Sequence, residues 1–575
     1  MLVLRLNDFY RELNHDGLSK RNTQEVVQDN VVINSSIVNW EHRIIKNIVF
    51  NKEVLIEEVD LKCGLSFEHC EFKEGIVFNK VIVSKYEESL FPHNGSLYFY
   101  ECKSTKILVM NNSNIDRAIC IHSNSDIDFF QIENSIIGNG GIRIKDSKIN
   151  TEFDITASDI HSLAITNSVV DAKIRFETIK IKSSLSFIKS KFNDWVKFWN
   201  IDTVFGIVFN ENTFLDVVSI KASRIKHGLY IHGDSFNKEF LVELFDKNEK
   251  IQLSSLEKVF IEEAKFIDRF IIDGKNNEID ELKLPMTSKL QGVIKFNECV
   301  FKSSELSGVN EHVKLIFKKT VFKSLKIEDF SNLSDVTFSN SKGSADGVLE
   351  IIDSDLGNTK FNEFSFKSFK TITIVNAFLN KIISTNIIWF DDKQLEVDRN
   401  SKNKGSEFYR NKREIYRQIK QALRSEGNQI DSLTFQAREM QAFRNELKSS
   451  GKNYKRSDKV IMTVSRTNNF GLSWWKPTWI IILITFGFYL FMLPLFSNEI
   501  NYTIARSWND VSKTLFELYN NFQVFWQLFN PTRRFTSTYG EIDSGWLQFL
   551  DLFQRMVLGI FIYQIITGFR RLTSK

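Results

Sequence analysis

Four polar side chains interrupt an apolar C-terminal stretch, and they are the first candidates for chemistry. Asp551, Gln554, Arg555 and Gln564 lie within Trp546–Phe569. Asp551 and Arg555 are four apart, so on a helix they share one face and can pair. An ionisable pair at membrane depth turns toward protein or water rather than lipid, so these four are candidates for a pore lining or a helix interface. A second set is Asp154, Asp159 and His161, residue types that polysaccharide-cleaving β-helices use. Paired carboxylates need a defined separation across the bond, and the expectation here is corner or surface residues. A third set is His69 between Cys63 and Cys70. No second ligand pair follows at metal spacing, so core or corner residues are expected and no metal is assigned. Neither GxxxxGK[ST] nor GxGxxG occurs, so no cofactor is expected and the chain does not read as an enzyme.

The elements that would position these residues follow from a repeat. Ile119, Ile142, Leu163, Leu185, Ile207 and Leu229 each open a short apolar-x-apolar unit, such as Gly206-Ile-Val-Phe-Asn-Glu-Asn-Thr-Phe214. Their gaps are 23, 21, 22, 22 and 22 residues. Halfway between them lie Phe153/Ile155, Ile174/Phe176, Val196/Phe198 and Val218/Ile220, a half-period near eleven. The array recurs as Ile294/Phe296, Ile316/Phe317 with Val321/Phe322, and Phe338. Apolar residues at i and i+2 make a short strand with one face inward. A coil of about 22 residues buries that face only by stacking on copies of itself, which is a parallel β-solenoid. The units lack the tight turns that hairpins need. The expected layout is an N-terminal cap over 1–45, solenoid coils over 46–398 and an irregular part near 233–290. Phrases such as Leu65-Ser-Phe67-Glu-His-Cys-Glu-Phe72 and Phe296-Asn-Glu-Cys-Val-Phe301 resemble degenerate pentapeptide-repeat proteins over about 60–390. That resemblance implies a right-handed β-helix, although the strict five-residue alternation is absent. The default role for such a solenoid is an interaction surface for a protein partner.

Near residue 399 the periodicity becomes helical. Phe408, Ile415, Ile419 and Leu423, then Leu433, Ala437, Met440 and Phe443, read as two helices around Gly427-Asn428. The layout resembles a single tetratricopeptide-like unit, a basic α-helical hairpin over 399–470. Residues 402–459 hold fifteen Lys/Arg against seven Asp/Glu. Arg410, Arg413, Arg417, Lys420, Lys455 and Arg456 are candidates to face an anionic leaflet, each contributing ~1 kcal/mol there. Nucleic acid is the disfavoured alternative, because a membrane span follows directly.

The membrane domain is expected over 471–575. Pro477 to Phe496 is twenty residues without a charge, enough to span ~30 Å of hydrocarbon. Trp474, Trp475 and Trp479 form an interfacial aromatic belt before it. A second span is expected near 547–569, with Trp546 at its start. Basic residues flank both spans on their outer sequence sides, so the positive-inside rule puts the N- and C-termini in the cytoplasm. Between the spans, Phe522–Phe529 reads as a short interfacial or re-entrant helix. The layout resembles two-span potassium-type channels, but Tyr539-Gly540 lacks the filter signature and Arg533-Arg534 disfavours cations. The C-terminal stretch also resembles bacterial membrane proteins that pair a pentapeptide-like domain with two spans, some loosely ion-channel-like. That implies a bacterial inner membrane. A pore needs several copies, because two spans cannot enclose one, so a homo-oligomer is expected.

Bulk properties agree with this division. The 575 residues have a net charge of +4 and a mean hydropathy of −0.20, which excludes a wholly disordered or polytopic chain. There are 52 Phe and only 5 Pro; stacked interiors can use the Phe and unbroken ladders exclude Pro, with codon bias as an alternative source of the Phe. Cys63, Cys70, Cys102, Cys120 and Cys299 are odd in number and scattered, which fits a reducing compartment. The first ten residues lack the basic flank and apolar core of a signal peptide, so the soluble mass is expected in the cytoplasm.

Overall fold

The computed structural model describes residues 2–3, 25–33, 43–62, 64–85, 94–245, 254–398, 405–450, 456–497, 508–542 and 544–573. The chain divides into two compact units, Met1–Glu396 and Val397–Lys575.

The first unit is a parallel β-solenoid of about 16 turns, built from two 24-stranded sheets. The repeat read from the sequence is its register. Ile119, Ile142, Leu163, Leu185, Ile207 and Leu229 are neighbours along one sheet. Phe153, Ile174, Val196 and Val218 are neighbours along the other. Phe296, Phe317 and Phe338 stack in register with ring centroids 5.2 and 4.9 Å apart. Two details differ: the inward partner of Phe317 is Leu315, with Ile316 turned outward, and Val321 turns outward beside the buried Phe322. The strand alternates strictly, so two adjacent residues cannot both face the core.

The corner after each longer strand in the middle of the solenoid is made by a residue with left-handed backbone. Ala157, Asn167, Thr178, Lys189, Asn200, Glu211 and Ala222 have φ between +46° and +55°. They recur every ten or eleven residues, so the half-period is a turn signal as well as a strand signal. Most carry a side chain in a conformation that costs roughly 1–2 kcal/mol, which the ladders on either side over-determine. After five of the seven the next residue is small, polar and buried, Ser158, Ser168, Ser190, Asn212 and Ser223, whereas Ile179 and Ile201 follow Thr178 and Asn200; the polar residues bond along the axis. Ser147 N donates to Ser168 Oγ at 3.2 Å, Ser168 N to Ser190 Oγ at 3.1 Å, and Ser190 N to Asn212 Oδ1 at 2.9 Å. The file ends with Asn212 N donating to Asp234 Oδ1 at 2.7 Å, because one coil on the position is Ala264. Beside it Phe192, Phe214, Phe236 and Phe266 stack near-parallel at 4.6, 4.8 and 5.3 Å, a direct use of the Phe excess.

Strands already occur within 1–45: Leu2–Val3 pairs with Val31–Val32, and Arg43–Lys46 pairs with Leu65–Glu68. Residues 4–24 and 34–42 of the expected cap lie outside the described residues. Through 233–290 the ladder persists with longer strands, Ser255–Glu262, Lys265–Asp273 and Glu278–Met286. The departure is a lengthened coil, in which Leu229 pairs with Val259 across thirty residues.

The second unit is helical. Helices α1 (Ser406–Ser425) and α2 (Gln429–Ser449) form the hairpin, turning at Gly427 (φ +78°) with Asn428 Oδ1 capping Asp431 N at 3.2 Å. A third helix that the sequence reading did not separate, α3 (Arg456–Thr467), follows. Then come α4 (Trp475–Phe496), α5 (Trp508–Asn520), α6 (Phe522–Gln527), α7 (Phe535–Tyr539) and α8 (Gly545–Thr573). By length and composition α4 and α8 are able to cross a membrane. They run antiparallel: Trp474 stacks on Phe569 at 5.1 Å, and Phe488 meets Phe553 at 6.0 Å.

Candidate functional site

A buried group of charged and polar side chains lies in the helical unit. Helix α8 places Asp551, Gln554 and Arg555 on one face, as i, i+3 and i+4 spacing dictates. Arg555 Nη2 meets Asp551 Oδ2 at 2.6 Å. The other side of Asp551 is taken by Arg533, which the sequence reading did not connect to it. After α6, Asn530 Oδ1 accepts from Thr532 N at 3.0 Å, an Asx turn at Asn530-Pro531 that sends the chain back toward α8. Arg533 Nη2 then donates to Asp551 Oδ1 and to Gln554 Oε1, the latter at 2.9 Å. Its Nη1 donates to the Leu528 and Asn530 carbonyls at 3.1 and 3.2 Å. Tyr539 Oη donates to Asp551 Oδ1 at 3.1 Å, and Gln554 Nε2 to Leu528 O at 3.2 Å.

Arg533, Asp551 and Gln554 are all buried, beneath a cluster that includes Tyr489, Met492, Leu493, Phe525 and Leu547. Two guanidiniums share one carboxylate, so the group carries a net charge of +1. The Nε atoms of Arg533 and Arg555 are buried without a partner. Chemically this is a clamp: it fixes the segment between α6 and α7 onto α8. A buried pair of this kind contributes little net energy when intact, but removing one partner costs about 3–5 kcal/mol. A cue existed in the sequence, an arginine just past an apolar run and an Asn-Pro turn. Its partner eighteen residues on has no periodic relation to it.

Gln564 is not part of this group. It sits nine residues beyond Arg555 on α8, where its carbonyl accepts from Asn468 Nδ2 at 3.3 Å. Gly568 near the same end leaves no room for a side chain, since a Cβ there would lie 2.9 Å from Trp474 N. Trp474, Trp475 and Trp479 are 38, 53 and 49% exposed at this end, and Trp546 is 74% exposed at the opposite end of α8.

The basic collar divides. Arg410 and Arg417 are exposed, Arg417 pairing with Glu414 at 2.7 Å on its own helix. Arg413 and Lys420 instead reach across the hairpin, to Glu446 at 2.9 Å and Glu439 at 2.5 Å. Both glutamates are buried, so these two cations hold α1 to α2. Lys455 lies outside the described residues, as does the side chain of Arg456.

In the solenoid the remaining candidates stay apart. Asp154 is buried in a bidentate pair with Arg175, whose Nε donates to Oδ1 at 3.2 Å. Asp159 and His161 belong to the neighbouring sheet and the corner after it. His69 is a left-handed corner residue whose Nδ1 meets Glu101 at 2.8 Å. The Cys70 thiol bonds the Ile45 and Glu68 carbonyls, and Cys63 lies outside the described residues. Among the described residues no three His, Cys, Asp or Glu side chains gather as a metal site.

Fold and site together define a class: a long parallel β-solenoid joined to a helical unit with two antiparallel apolar helices and a buried charge clamp. No protein-family model, curated protein or solved structure matches the chain.

Proposed function

We propose that this chain is a membrane-anchored β-solenoid that serves as a scaffold or sensor for protein partners. The observation that carries the reading is the exposure of α4 and α8 on a chain that also holds about 16 solenoid turns. Only 28 and 22% of their apolar windows are buried. Uncovered apolar helical stretches of 22 and 25 residues, Trp475–Phe496 and Gly545–Phe569, demand a cover, and a bilayer matches their ~33–38 Å length. The antiparallel pairing supports both termini on one side, and the Lys/Arg flanks support the cytoplasmic side of a bacterial inner membrane.

Outside its core the solenoid carries rows of exposed ion pairs along the axis, such as Lys80–Glu58 and Lys319–Glu298. Such pairs contribute little to stability. Set among them are single exposed aromatics, Trp199, Phe205 and Phe378, which suit protein contacts. A homo-oligomeric pore gated by the solenoid is the second reading, motivated by the ionisable residues of α8. The inward turn of Asp551 to partners in its own chain favours the anchored scaffold.

The test uses the full chain. It should stay in the membrane pellet through alkaline carbonate extraction, and a photo-crosslinker at position 199 or 378 should capture the same protein in repeated experiments. Release by carbonate would overturn the anchor. Absence of a recurrent cross-link, together with ion flux in liposomes that Asp551→Ala alters, would replace the scaffold with the pore.

A further inference from the structure

Helix α5 carries an apolar face that no described residue of its unit covers. Trp508, Val511, Leu515, Phe516 and Tyr519 are 87, 38, 60, 64 and 80% exposed. At about 100° per residue they fall on one arc of roughly 140°. The helix has two other sides. One packs on its own unit: Tyr489 Oη donates to the Leu518 carbonyl at 2.7 Å, and Ser497 Oγ meets Glu517 at 3.3 Å, just past the last turn of α4. The other, through Asn509, Lys513 and Asn520, is polar and exposed. So α5 is moored at the end of one candidate span, with an oily side and a wet side. Its oily side is rich in Trp, Phe and Tyr, the residues that favour the water–lipid boundary. The apolar surface continues through α6, where Phe522 and Trp526 are 41 and 64% exposed. It meets α4 where Phe525 packs edge-on against Phe486 at 5.9 Å, and α4 itself exposes Leu483 and Phe491.

We propose that α5 is an interfacial helix whose apolar face lies in the headgroup–acyl boundary of the bilayer that α4 and α8 cross. The partner is a lipid surface, entered to a depth of about 5–10 Å. Asp510, Lys513 and Glu517 give the helix a net charge of −1, so its seat is hydrophobic and needs no anionic lipid. The inference rests on the membrane reading above and adds a third contact with the bilayer.

Spin labels placed in the full chain, reconstituted in phosphatidylcholine vesicles, test it. The four native cysteines described, Cys70, Cys102, Cys120 and Cys299, are buried, and the labelled parent supplies the background. Labels at Leu515→Cys and Tyr519→Cys should collide with oxygen several-fold more than with a water-soluble nickel chelate. A label at Lys513→Cys should show the reverse, and adding anionic lipid should change neither. Val511→Cys and Phe516→Cys share the apolar face and replace any variant that fails to reconstitute. Chelate access at 515 and 519 equal to that at 513 would overturn the proposal. So would shielding from both probes with dipolar broadening, which would make the face a contact between two copies. Leu483→Cys separates the two readings. If it is lipid-facing while 515 is aqueous, the inference alone fails; if it is aqueous too, the membrane reading fails with it.

Discussion

Replacing Asp234 with asparagine should remove a pH dependence from the middle of the solenoid. Asp234 is 1% exposed, and burial raises its carboxyl from an ordinary 3.8 to about 7, against the opposing pull of hydrogen bonds from Asn212 and His232. The folded value lies above the unfolded one. Stability is therefore complete below about pH 4, where both states hold the proton, and is lost as pH rises through about 7. The slope is ~1.4 kcal/mol per pH unit, and roughly three units give a loss of about 3–5 kcal/mol by neutral pH. Asparagine carries no charge, and Asn212 one coil earlier shows that an amide fits such a place. The variant keeps the Oδ1 acceptor for Asn212 N and Nδ2, at 2.7 and 2.8 Å. It loses the Oδ2 acceptor for His232 N at 3.1 Å, at about 1 kcal/mol. The variant should thus be about 1 kcal/mol less stable at pH 4 and about 2–4 kcal/mol more stable at pH 8. Coils open locally in a repeat array, so the readout must be local. Hydrogen exchange of peptides within 207–236, corrected for intrinsic rates from pH 4 to 8, supplies it. Protection that moves in parallel in parent and variant would refute the argument.

Three further outcomes are expected. Phe317→Ala opens a hole in the Phe296–Phe317–Phe338 stack and should cost about 3–5 kcal/mol, read as faster exchange in Gln291–Asn297 and Val336–Ser339. Unchanged exchange there would count against the stacked core. Gly206→Val places a Cβ about 2.2 Å from the Gly228 carbonyl at φ +84°, so it should lower the thermal midpoint by displacing two adjacent corners. A midpoint equal to the parent's would contradict the corner geometry. Arg533→Met should cost about 3 kcal/mol or more in detergent by stranding part of Asp551, and adding Asp551→Leu should restore much of it. A loss in the double variant equal to the sum of the Arg533→Met and Asp551→Leu losses would mean that the clamp is not coupled.

The solenoid was legible because its register is written as a period. Leu185, Ile207 and Leu229 announce one another at 22 residues, and an alternating strand leaves only the choice of phase. That choice slipped at Ile316 against Leu315, where three apolar residues run together, and at Val321 beside Phe322. The clamp was half legible. Asp551 with Arg555 follows from helical spacing, whereas Arg533 reaches Asp551 through a turn whose direction no local pattern states. The same limit hid the roles of Arg413 and Lys420: a count of charges marks a basic collar, but which cations bridge two helices depends on the hairpin's register. Helix α5 has its apolar positions in plain spacing, yet the louder apolar run at Phe522–Phe529 drew the reading.

The ladders that close each coil onto the next run along the axis, so the solenoid has a distinctive mechanics. Coils stand ~4.8 Å apart, and about 16 of them make a rod of roughly 75 Å. Tension along that rod loads its hydrogen bonds end-on, one coil in series with the next, so coils should peel singly rather than shear together. Each ordinary coil frees 22 residues, the offset between Leu185 and Ile207, or about 70 Å of chain. Three coils are longer, with Leu2 pairing Val31, Leu65 pairing Leu97 and Leu229 pairing Val259, offsets of 29, 32 and 30 residues. Pulled from its ends, the rod should give an even sawtooth broken by three wide teeth, a mechanical barcode of its own repeat.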